Sequence, residues 1–482
     1  MNTKIALSMV TVFAGFLCCN SINDEKETIE EGKIILSGKI IDINTKLALN
    51  NVKVSLLEKG PEKITGQNGE FSFTDKEIHS AQNITEMQLD SMIKNIPAAV
   101  SVSCFGFLPK EQNLEFNSPV TIEIIPDSLK TYYYQKPLQL SDGLTTALYK
   151  DAEMDSALLH QMMNKIKSGR YKQLHSILIY RNDKLVLEEY FYGNNDTIQF
   201  ENNIARDRTP APIQWNRNQK HYVASVNKSL TSTIVGIALD KYGKSVNDKI
   251  STYLPDYASY FSDAAKNNVT IKHCLTMSLG FKWNEITSND LALMWKSNNF
   301  ADFLLSRSNG GPNSTWVYNS ASPNLLLRCM ENLVGGSIRK FADDNFYKKL
   351  GITDYNWQSQ PGGLPEGAAR MFIRPRDMLK IGATYLNNGV WNGEQVIPAA
   401  WVTECSNIKK ITESGNYSYF FWIRNLKGAK YISADGDGGN YINIFPTKKM
   451  VIVITQGNYL EWPLYVDQAN ELMESYIIPA AK

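Results

Sequence analysis

The sequence contains little cysteine, little histidine and almost no net charge. Of its 482 residues, 6 are cysteines and 5 are histidines, and 50 Lys and Arg balance 49 Asp and Glu to a net charge of +1. Nucleic-acid binding is not expected, because no basic excess is available to neutralise phosphates. The cysteines are too few for a small disulfide-stabilised scaffold. A hydrophobic content of 43% argues against intrinsic disorder.

Long hydrophobic runs are also missing, apart from a short one near the N-terminus. Lys4 precedes the apolar run 5–17, whose 13 residues are fewer than the about 20 that a membrane-spanning helix needs. A positive residue before such a run is typical of a secretory signal. Cys18 and Cys19 follow it, and the arrangement resembles a bacterial lipoprotein signal, which implies a lipid on Cys19. Lipidation of Cys18 and plain secretion without a lipid are the alternatives.

The chain is therefore expected to be exported by a bacterium, as a periplasmic or outer-membrane-anchored lipoprotein. We expect a signal over residues 1–19, an acidic linker over 20–33, and folded domains over 34–127 and 128–482. Besides the membrane, the expected partner is a small-molecule substrate.

Short alternating strands separated by Asn and Gly turns predict a small β-sandwich between residues 34 and 127. The segment 76–97 interrupts this pattern as a partly helical insertion. The residues ILSGKIIDINTKLALNNVKVSL and TGQNGEFSF resemble the carboxypeptidase-regulatory-like domain. This resemblance implies a non-catalytic accessory module.

Metal ions and organic cofactors are not expected. The cysteines of the folded regions are far apart in sequence, with no C-x-x-C pair and no histidine cluster: Cys104, Cys274, Cys329 and Cys405. They can form three disulfide connectivities or remain free thiols. The sequence also lacks P-loop, dinucleotide-binding and H-E-x-x-H motifs.

Strands near both ends of residues 128–482, with helices between them, predict an α+β fold in which an antiparallel sheet carries a helical lobe. The expected elements are two strands in 175–192, helices at 225–242 and 377–387, strands at 441–445 and 450–455, and a helix at 466–476.

The leading candidate for chemistry is Ser225, three residues before Lys228 at the start of the predicted helix. This spacing places both side chains on one helical face. A serine hydroxyl is a weak nucleophile and needs a neighbouring base, and a buried lysine amine can act as that base. The spacing alone is weak, because Ser91, Ser337 and Ser406 also have a lysine three residues later. Only the helix after Ser225 is strongly apolar.

Five segments occur in a telling order: HYVASVNKSLTSTIVGIALDKYG, TIKHCLTMSLGFKWNE, WVYNSASPNLLL, IRPRDMLKIGATYLNNGVWNGEQVIPAAWV and ADGDGGNYINIFP. Together they resemble the serine hydrolase family of class C β-lactamases, DD-peptidases, related esterases and 6-aminohexanoate-dimer hydrolases. The resemblance implies a β-lactamase/transpeptidase-like fold and catalysis through an acyl-enzyme without a cofactor.

The resemblance also implies roles for individual residues. Ser225 matches the acylated serine, Lys228 its lysine partner, and Tyr318 the tyrosine that transfers protons to the leaving group and from water. Ser320, at the third position of the tyrosine motif, is typical of the esterase and amide-hydrolase branch. It is a candidate substrate contact, and so is Trp283.

The third family motif is placed at Ala434-Asp435-Gly436, so Gly436 is a further candidate substrate contact. The backbone N–H groups of Ser225 and Asp437 would form the oxyanion hole. The cation usual at the first position is absent, and two acids stand nearby. This favours neutral or cationic esters and amides over β-lactams with a free carboxylate. A DD-peptidase or β-lactamase, and a catalytically silent binding lipoprotein, are the alternatives.

Overall fold

The structure is a computed structural model. It describes residues 32–482 except 44–45, 50–51, 57–59, 67, 96, 105–106, 126–131, 133, 196, 200–204 and 208–211. The predicted signal, Cys18, Cys19 and most of the acidic linker lie outside the described residues. Within the described part of the chain, no helix is both long enough and apolar enough to cross a bilayer.

The N-terminal region folds as two small sheets around one apolar core. Its elements are β1 (Ile34–Asp42), β2 (Lys53–Leu56), β3 (Glu62–Ile64), β4 (Glu70–Thr74), α1 (Asp75–Gln82), α2 (Glu86–Asn95), β5 (Ala98–Ser103), β6 (Lys110–Leu114) and β7 (Val120–Ile124). One sheet has the order β4-β1-β7 and the other β3-β2-β5-β6. Alternate strand residues such as Val54 and Leu56 are buried in the shared core. A separate β-rich region is thus present where a sandwich was predicted, and α1 and α2 fall in the predicted insertion.

The larger region begins with a helix and two long strands and then forms the helical lobe. Its first elements are α3 (Ser156–Lys167), β8 (Leu174–Arg181), β9 (Lys184–Tyr190), β10 (Tyr192–Gly193), β11 (Thr197–Gln199), β12 (Ala205–Asp207), β13 (Ile213–Gln214), β14 (His221–Tyr222) and α4 (Val226–Lys241). The lobe continues with α5 (Ala264–Asn267), α6 (Ile271–Leu275), α7 (Asp290–Lys296), α8 (Phe300–Leu305), α9 (Ala321–Val334) and α10 (Ile338–Ala342).

The chain then returns to complete the sheet. The remaining elements are β15 (Asn356–Trp357), β16 (Met371–Ile373), α11 (Pro375–Leu386), β17 (Val390–Trp391), β18 (Glu394–Gln395), α12 (Ala399–Ser406), β19 (Lys410–Thr412), β20 (Gly415–Tyr417), β21 (Trp422–Leu426), β22 (Ala429–Gly436), β23 (Asn440–Phe445), β24 (Met450–Gln456), α13 (Leu464–Leu472) and α14 (Ile478–Ala480).

The central sheet has eight strands in the order β19-β20-β21-β22-β23-β24-β8-β9, and all neighbouring pairs are antiparallel. The strands β8 and β24, from opposite ends of the region, lie side by side, with β9 as the edge strand beyond β8. One face packs on α4, α11 and the helical lobe, and the other packs on α3 and the C-terminal helices. The predicted antiparallel sheet with a helical lobe is confirmed.

Every residue of helix α4 except Asp240 and Lys241 is buried, and the buried residues include polar ones. A helix buried around its whole circumference lies inside the core and not on the surface. Gly236 lets Trp401 lie directly across it, since a Cβ at Gly236 would stand 2.2 Å from the indole ring. The polar side chains of α4 find backbone acceptors: Asn227 donates to the carbonyl of Glu366 at 2.7 Å and Ser229 to that of Phe420 at 2.6 Å. The helix is therefore locked to two later segments of the chain.

The four cysteines of the described residues are free thiols, which resolves the alternatives that the sequence left open there. Cys274, Cys329 and Cys405 are buried, and burial raises the pKa of each thiol. Across the described ranges, no three His, Cys, Asp or Glu side chains are grouped so that they could hold a metal ion.

Candidate active site

Ser225 is the point at which a buried segment meets solvent. Every residue from 221 to 239 is buried except Ser225, which is half-buried. It immediately precedes α4, with φ −66° and ψ −7°, and its side chain does not cap the helix. Ala224 before it has φ +46°, in the left-handed region that residues with a Cβ seldom adopt. The chain therefore makes a tight turn that presents a single hydroxyl.

Lys228 lies directly beneath this hydroxyl. Its Nζ donates to Ser225 Oγ at 2.8 Å and to the carbonyl oxygen of Ala368 at 3.2 Å, and the residue is 1% exposed. Among the described residues, no carboxylate forms an ion pair with Lys228. The amine is thus directed at the serine, which is the geometry required of a base that activates a nucleophile.

Glu366 fixes the carbonyl that orients Lys228. Its Oε2 accepts hydrogen bonds from the backbone N–H groups of Ala368 at 3.1 Å, Ala369 at 2.6 Å and Arg370 at 2.8 Å. Its Oε1 accepts from Asn324 Nδ2 at 2.9 Å. This buried carboxylate folds residues 366–370 into a tight turn. This role of Glu366 was not predicted, because residues 366–370 match no recognisable motif.

Tyr318 lies on the other side of the lysine. Lys228 Nζ is 4.8 Å from the centroid of its ring. The ring stacks on Trp422 at 6.2 Å and meets Tyr417 edge-on at 6.3 Å. Two aromatic side chains from β20 and β21 therefore set the orientation of the phenol. The structure brings together the three residues that the sequence predicted as a catalytic group.

The loop that carries Tyr318 is anchored from behind. Asn319 Oδ1 accepts from the N–H groups at the start of α9. Glu285 Oε1 accepts from the N–H of Ser320 at 2.6 Å and from the indole of Trp283 at 3.0 Å. Ser320 is 1% exposed and Trp283 is 4% exposed, so both have little surface for a substrate. Their contacts are those of residues that position the tyrosine loop.

The end of β22 passes directly beside the turn before Ser225. A Cβ at Gly436 would lie 2.1 Å from the carbonyl oxygen of Val223, so only glycine permits this approach. Asp437 follows at the start of a turn, and its Oδ2 accepts from the N–H of Leu460 at 3.1 Å. The segment that the sequence placed beside the nucleophile is therefore adjacent to it.

Ala434 stands where the third motif usually has a cation, and the acid that follows it is paired. Arg424 Nε on β21 lies 3.1 Å from Asp435 Oδ2 and forms an ion pair with it. Burial alone would lower the pKa of Arg424, but the Asp435 carboxylate outweighs it and the pKa is raised. One of the two acids near the third motif is therefore paired with a cation from the neighbouring strand.

Four of the described apolar residues have a left-handed backbone. Among the described residues, four apolar side chains occur on a backbone with φ between +46° and +65°: Ala224, Met277, Phe420 and Leu460. Such conformations cost about 1–3 kcal/mol each and cluster at functional sites. Met277 binds the tyrosine loop through its carbonyl, which accepts from the N–H of Val317 at 3.2 Å. Phe420 binds α4 through Ser229.

His221, four residues before Ser225, has a structural environment. It is 2% exposed, its ring stacks on Trp215 at 3.9 Å, and its Nε2 lies 3.3 Å from Thr455 Oγ1. Burial lowers its pKa to about 3, so the ring is neutral at physiological pH. The partner of the Ser225 hydroxyl is the lysine.

Comparison with known proteins agrees with this architecture. The family model described as Beta-lactamase matches residues 175–470. The chain is 22% identical over 200 residues to a 6-aminohexanoate-dimer hydrolase of Paenarthrobacter ureafaciens, a match that covers 38% of this chain and 50% of that enzyme.

Two solved structures are similar in fold. A candidate 6-aminohexanoate-dimer hydrolase from Bacillus anthracis superposes with a TM-score of 0.53 at 18% identity, over 73% of this chain and 88% of its own. A family VIII carboxylesterase gives a TM-score of 0.52 at 14% identity, over 67% and 96%. The β-lactamase/transpeptidase-like fold predicted from the sequence is confirmed.

Proposed function

The chain belongs to the β-lactamase family of serine hydrolases, and we propose that it cleaves an ester or an amide through an acyl-enzyme on Ser225. The observation that carries this proposal is the 2.8 Å contact between Lys228 Nζ and Ser225 Oγ at the single half-buried position of a buried segment. A surface lysine would need no such environment.

In the acylation half of the reaction, Ser225 Oγ attacks the substrate carbonyl carbon and its proton passes to the Lys228 amine. The N–H groups of Ser225 and Asp437 stabilise the oxyanion that forms, a contribution of about 3–4 kcal/mol per donor in enzymes of this kind. Collapse of the intermediate breaks the bond to the leaving alcohol or amine, which takes the proton of the Tyr318 hydroxyl and leaves Tyr318 as a phenolate.

In the deacylation half, a water molecule attacks the acyl carbon while Tyr318 accepts its proton. The bond to Ser225 Oγ breaks, the acid leaves, and the serine recovers its proton from Lys228. The position of the Tyr318 ring, 4.8 Å from Lys228 Nζ and stacked on Trp422, supports this role.

The charges around the cleft favour a neutral substrate. Asp435 neutralises Arg424, so the pair adds no net charge beside the oxyanion position. A substrate carboxylate could bind Arg424 only in competition with Asp435. The second candidate function is β-lactamase or DD-peptidase activity. The observation that favours it is Arg424, a cation on the strand next to the third motif. A β-lactamase would hydrolyse nitrocefin.

The physiological setting is also a proposal. We propose that the chain is exported and carries a lipid on Cys19, with the N-terminal β-rich region as a non-catalytic module between the membrane and the hydrolase. Replacement of Cys19 by alanine should release the protein from the membrane fraction if the lipid is the anchor.

The test of the activity compares wild type, Ser225→Ala and Ser337→Ala, because both serines have a lysine three residues later. A fluorophosphonate probe should label wild type and Ser337→Ala but not Ser225→Ala. Turnover of p-nitrophenyl acetate should fall about 10³-fold or more in Ser225→Ala alone.

The remaining results separate the alternatives. Efficient nitrocefin turnover that is lost in Ser225→Ala would establish a β-lactamase and contradict the ester or amide assignment. Neither labelling nor turnover of any ester, amide or lactam by wild type would favour the silent binding lipoprotein. Circular dichroism of each variant checks that the fold is kept.

A further inference from the structure

Leu460 differs from the other strained apolar residues around the site. Ala224, Met277 and Phe420 are at most 3% exposed and anchor buried contacts, whereas Leu460 is 51% exposed with φ +65°. An exposed leucine gains nothing from packing that would compensate for a left-handed backbone. Its backbone is held by the contacts of the loop that carries it.

The loop that carries Leu460 is attached to residues beside the proposed oxyanion hole. The N–H of Leu460 donates to Asp437 Oδ2 at 3.1 Å. The preceding Tyr459 donates its hydroxyl to the carbonyl of Tyr222 at 2.7 Å. These contacts tie the start of the loop to the segments on both sides of the catalytic turn, three residues before Ser225 and at Asp437 itself.

The far end of the loop is attached to the same carboxylate. The phenol of Tyr465 is half-buried and interacts with Asp437, and its partial burial together with this negative charge raises its pKa well above the usual range. The backbone carbonyl of Tyr465 accepts from Gln456 Nε2 at 3.0 Å. Asp437 therefore contacts the loop 459–465 near both of its ends, and we call these two contacts the Asp437 clasp.

Two of the exposed side chains in this loop are large and apolar. Trp462 is 73% exposed and Leu460 is 51% exposed. A third such residue, Ile286 at 92%, follows Glu285, which fixes the tyrosine loop through the N–H of Ser320. Single exposed apolar residues are ordinary in soluble proteins. Leu460 and Ile286, however, belong to loops that contact Asp437 and the tyrosine loop respectively.

We propose that Leu460 and Trp462 form an apolar rim of the active-site cleft that binds an apolar chain of the substrate. The substrate class is then an ester or amide whose acyl or alcohol part carries several methylene groups. This inference rests on the proposed function, because it assigns specificity to the same site. The Asp437 clasp fixes the rim relative to the oxyanion position, so chain binding and attack occur in one geometry.

The test is a chain-length series of p-nitrophenyl acetate, butyrate and hexanoate with wild type, Leu460→Asn and Trp462→Ala. Asparagine tolerates the left-handed conformation, so Leu460→Asn removes the apolar surface without adding strain. In wild type, kcat/KM should rise about two- to four-fold for each methylene that enters the rim. In both variants the hexanoate value should fall about ten-fold while the acetate value stays within two-fold.

Met87→Asn is the matched control, because Met87 is 83% exposed in the N-terminal region. It should leave the whole series unchanged. An unaltered chain-length dependence in Leu460→Asn and Trp462→Ala would overturn the proposal, and so would an equal loss in Met87→Asn.

A second measurement keeps the result separate from catalysis. Ser225→Ala should bind p-nitrophenyl hexanoate more tightly than the acetate by calorimetry, and adding Leu460→Asn or Trp462→Ala should abolish the difference. If wild type fails to hydrolyse any ester but this chain-length preference is present, the proposed function fails and the rim stands. If the preference is absent, the rim fails.

Discussion

Two segments of this chain have a serine three residues before a lysine at the start of a helix, and the structure gives the two serines different roles. Ser225 and Ser337 each precede a helix and each has a lysine three residues later. The hydroxyl of Ser337 accepts a hydrogen bond from the N–H of Lys340 at 3.3 Å and so caps its helix. Ser225 makes no capping bond, and its hydroxyl accepts from a lysine side chain instead.

The two lysines differ in the same way. Lys340 is 76% exposed in its side chain and pairs with Asp344 one turn later in the chain. Lys228 is buried and is directed by the carbonyl of Ala368, 140 residues away. The surroundings of the motif therefore determine its role. Lys340 forms an ordinary surface ion pair with the exposed carboxylate of Asp344. Lys228 is oriented by a buried carbonyl group, so its amine points at the Ser225 hydroxyl.

The largest effect on kcat is expected when the Lys228 amine is removed. Lys228→Met keeps the length and the apolar stem of the side chain but removes the proposed base. We expect kcat for p-nitrophenyl butyrate to fall about 10²–10⁴-fold, the usual contribution of general base catalysis. Steady-state kinetics on the purified variant measure the effect.

Lys340→Met is the matched control and should change kcat by less than two-fold. It removes only an exposed ion pair with Asp344, which contributes little to stability. If Lys228→Met kept more than a tenth of the wild-type kcat, the lysine would not be the base that activates Ser225.

Much of the larger region was predictable because its pattern is local. The predicted helix 225–242 and the predicted strands 441–445 and 450–455 closely match α4, β23 and β24. These segments are rich in apolar residues, as buried helices and buried strands are, so their secondary structure can be predicted from the local sequence. The proximity of Ser225, Lys228 and Tyr318 was also predictable, because each lies in a short motif.

The rest depended on contacts between distant segments. Arg424 lies on β21, a strand of five residues with mixed polarity, and only strand pairing places it beside Asp435. Glu366 has no local pattern, and its role comes from a turn that folds around its carboxylate. The burial of Trp283 and Ser320 likewise depends on how the lobe packs, which residue spacing does not reveal.

A smaller effect is expected from the turn that directs Lys228. In Glu366→Gln, the new amide must face either the N–H groups of residues 368–370 or the amide of Asn324, so two donors oppose each other. A buried polar group without its partner costs about 1–3 kcal/mol. The free energy of unfolding in urea should fall by this amount, and kcat should fall as the carbonyl of Ala368 moves.

The comparison for that variant is Glu394→Gln, whose carboxylate is 55% exposed and pairs with Lys349. Its free energy of unfolding should stay within about 0.5 kcal/mol of wild type. Equal urea midpoints for the two variants would mean that Glu366 does not organise the turn.

The smallest effect separates the two serines completely. Ser337→Ala removes the capping bond to the N–H of Lys340, so the free energy of unfolding should fall by about 1 kcal/mol with kcat unchanged. Ser225→Ala has no capping bond to lose, so its unfolding free energy should stay close to that of wild type while its activity disappears. Urea unfolding and ester hydrolysis, measured on both variants, test this exchange. A loss of activity in Ser337→Ala, or of more than about 1 kcal/mol of stability in Ser225→Ala, would contradict the assignment of one serine to chemistry and the other to the helix.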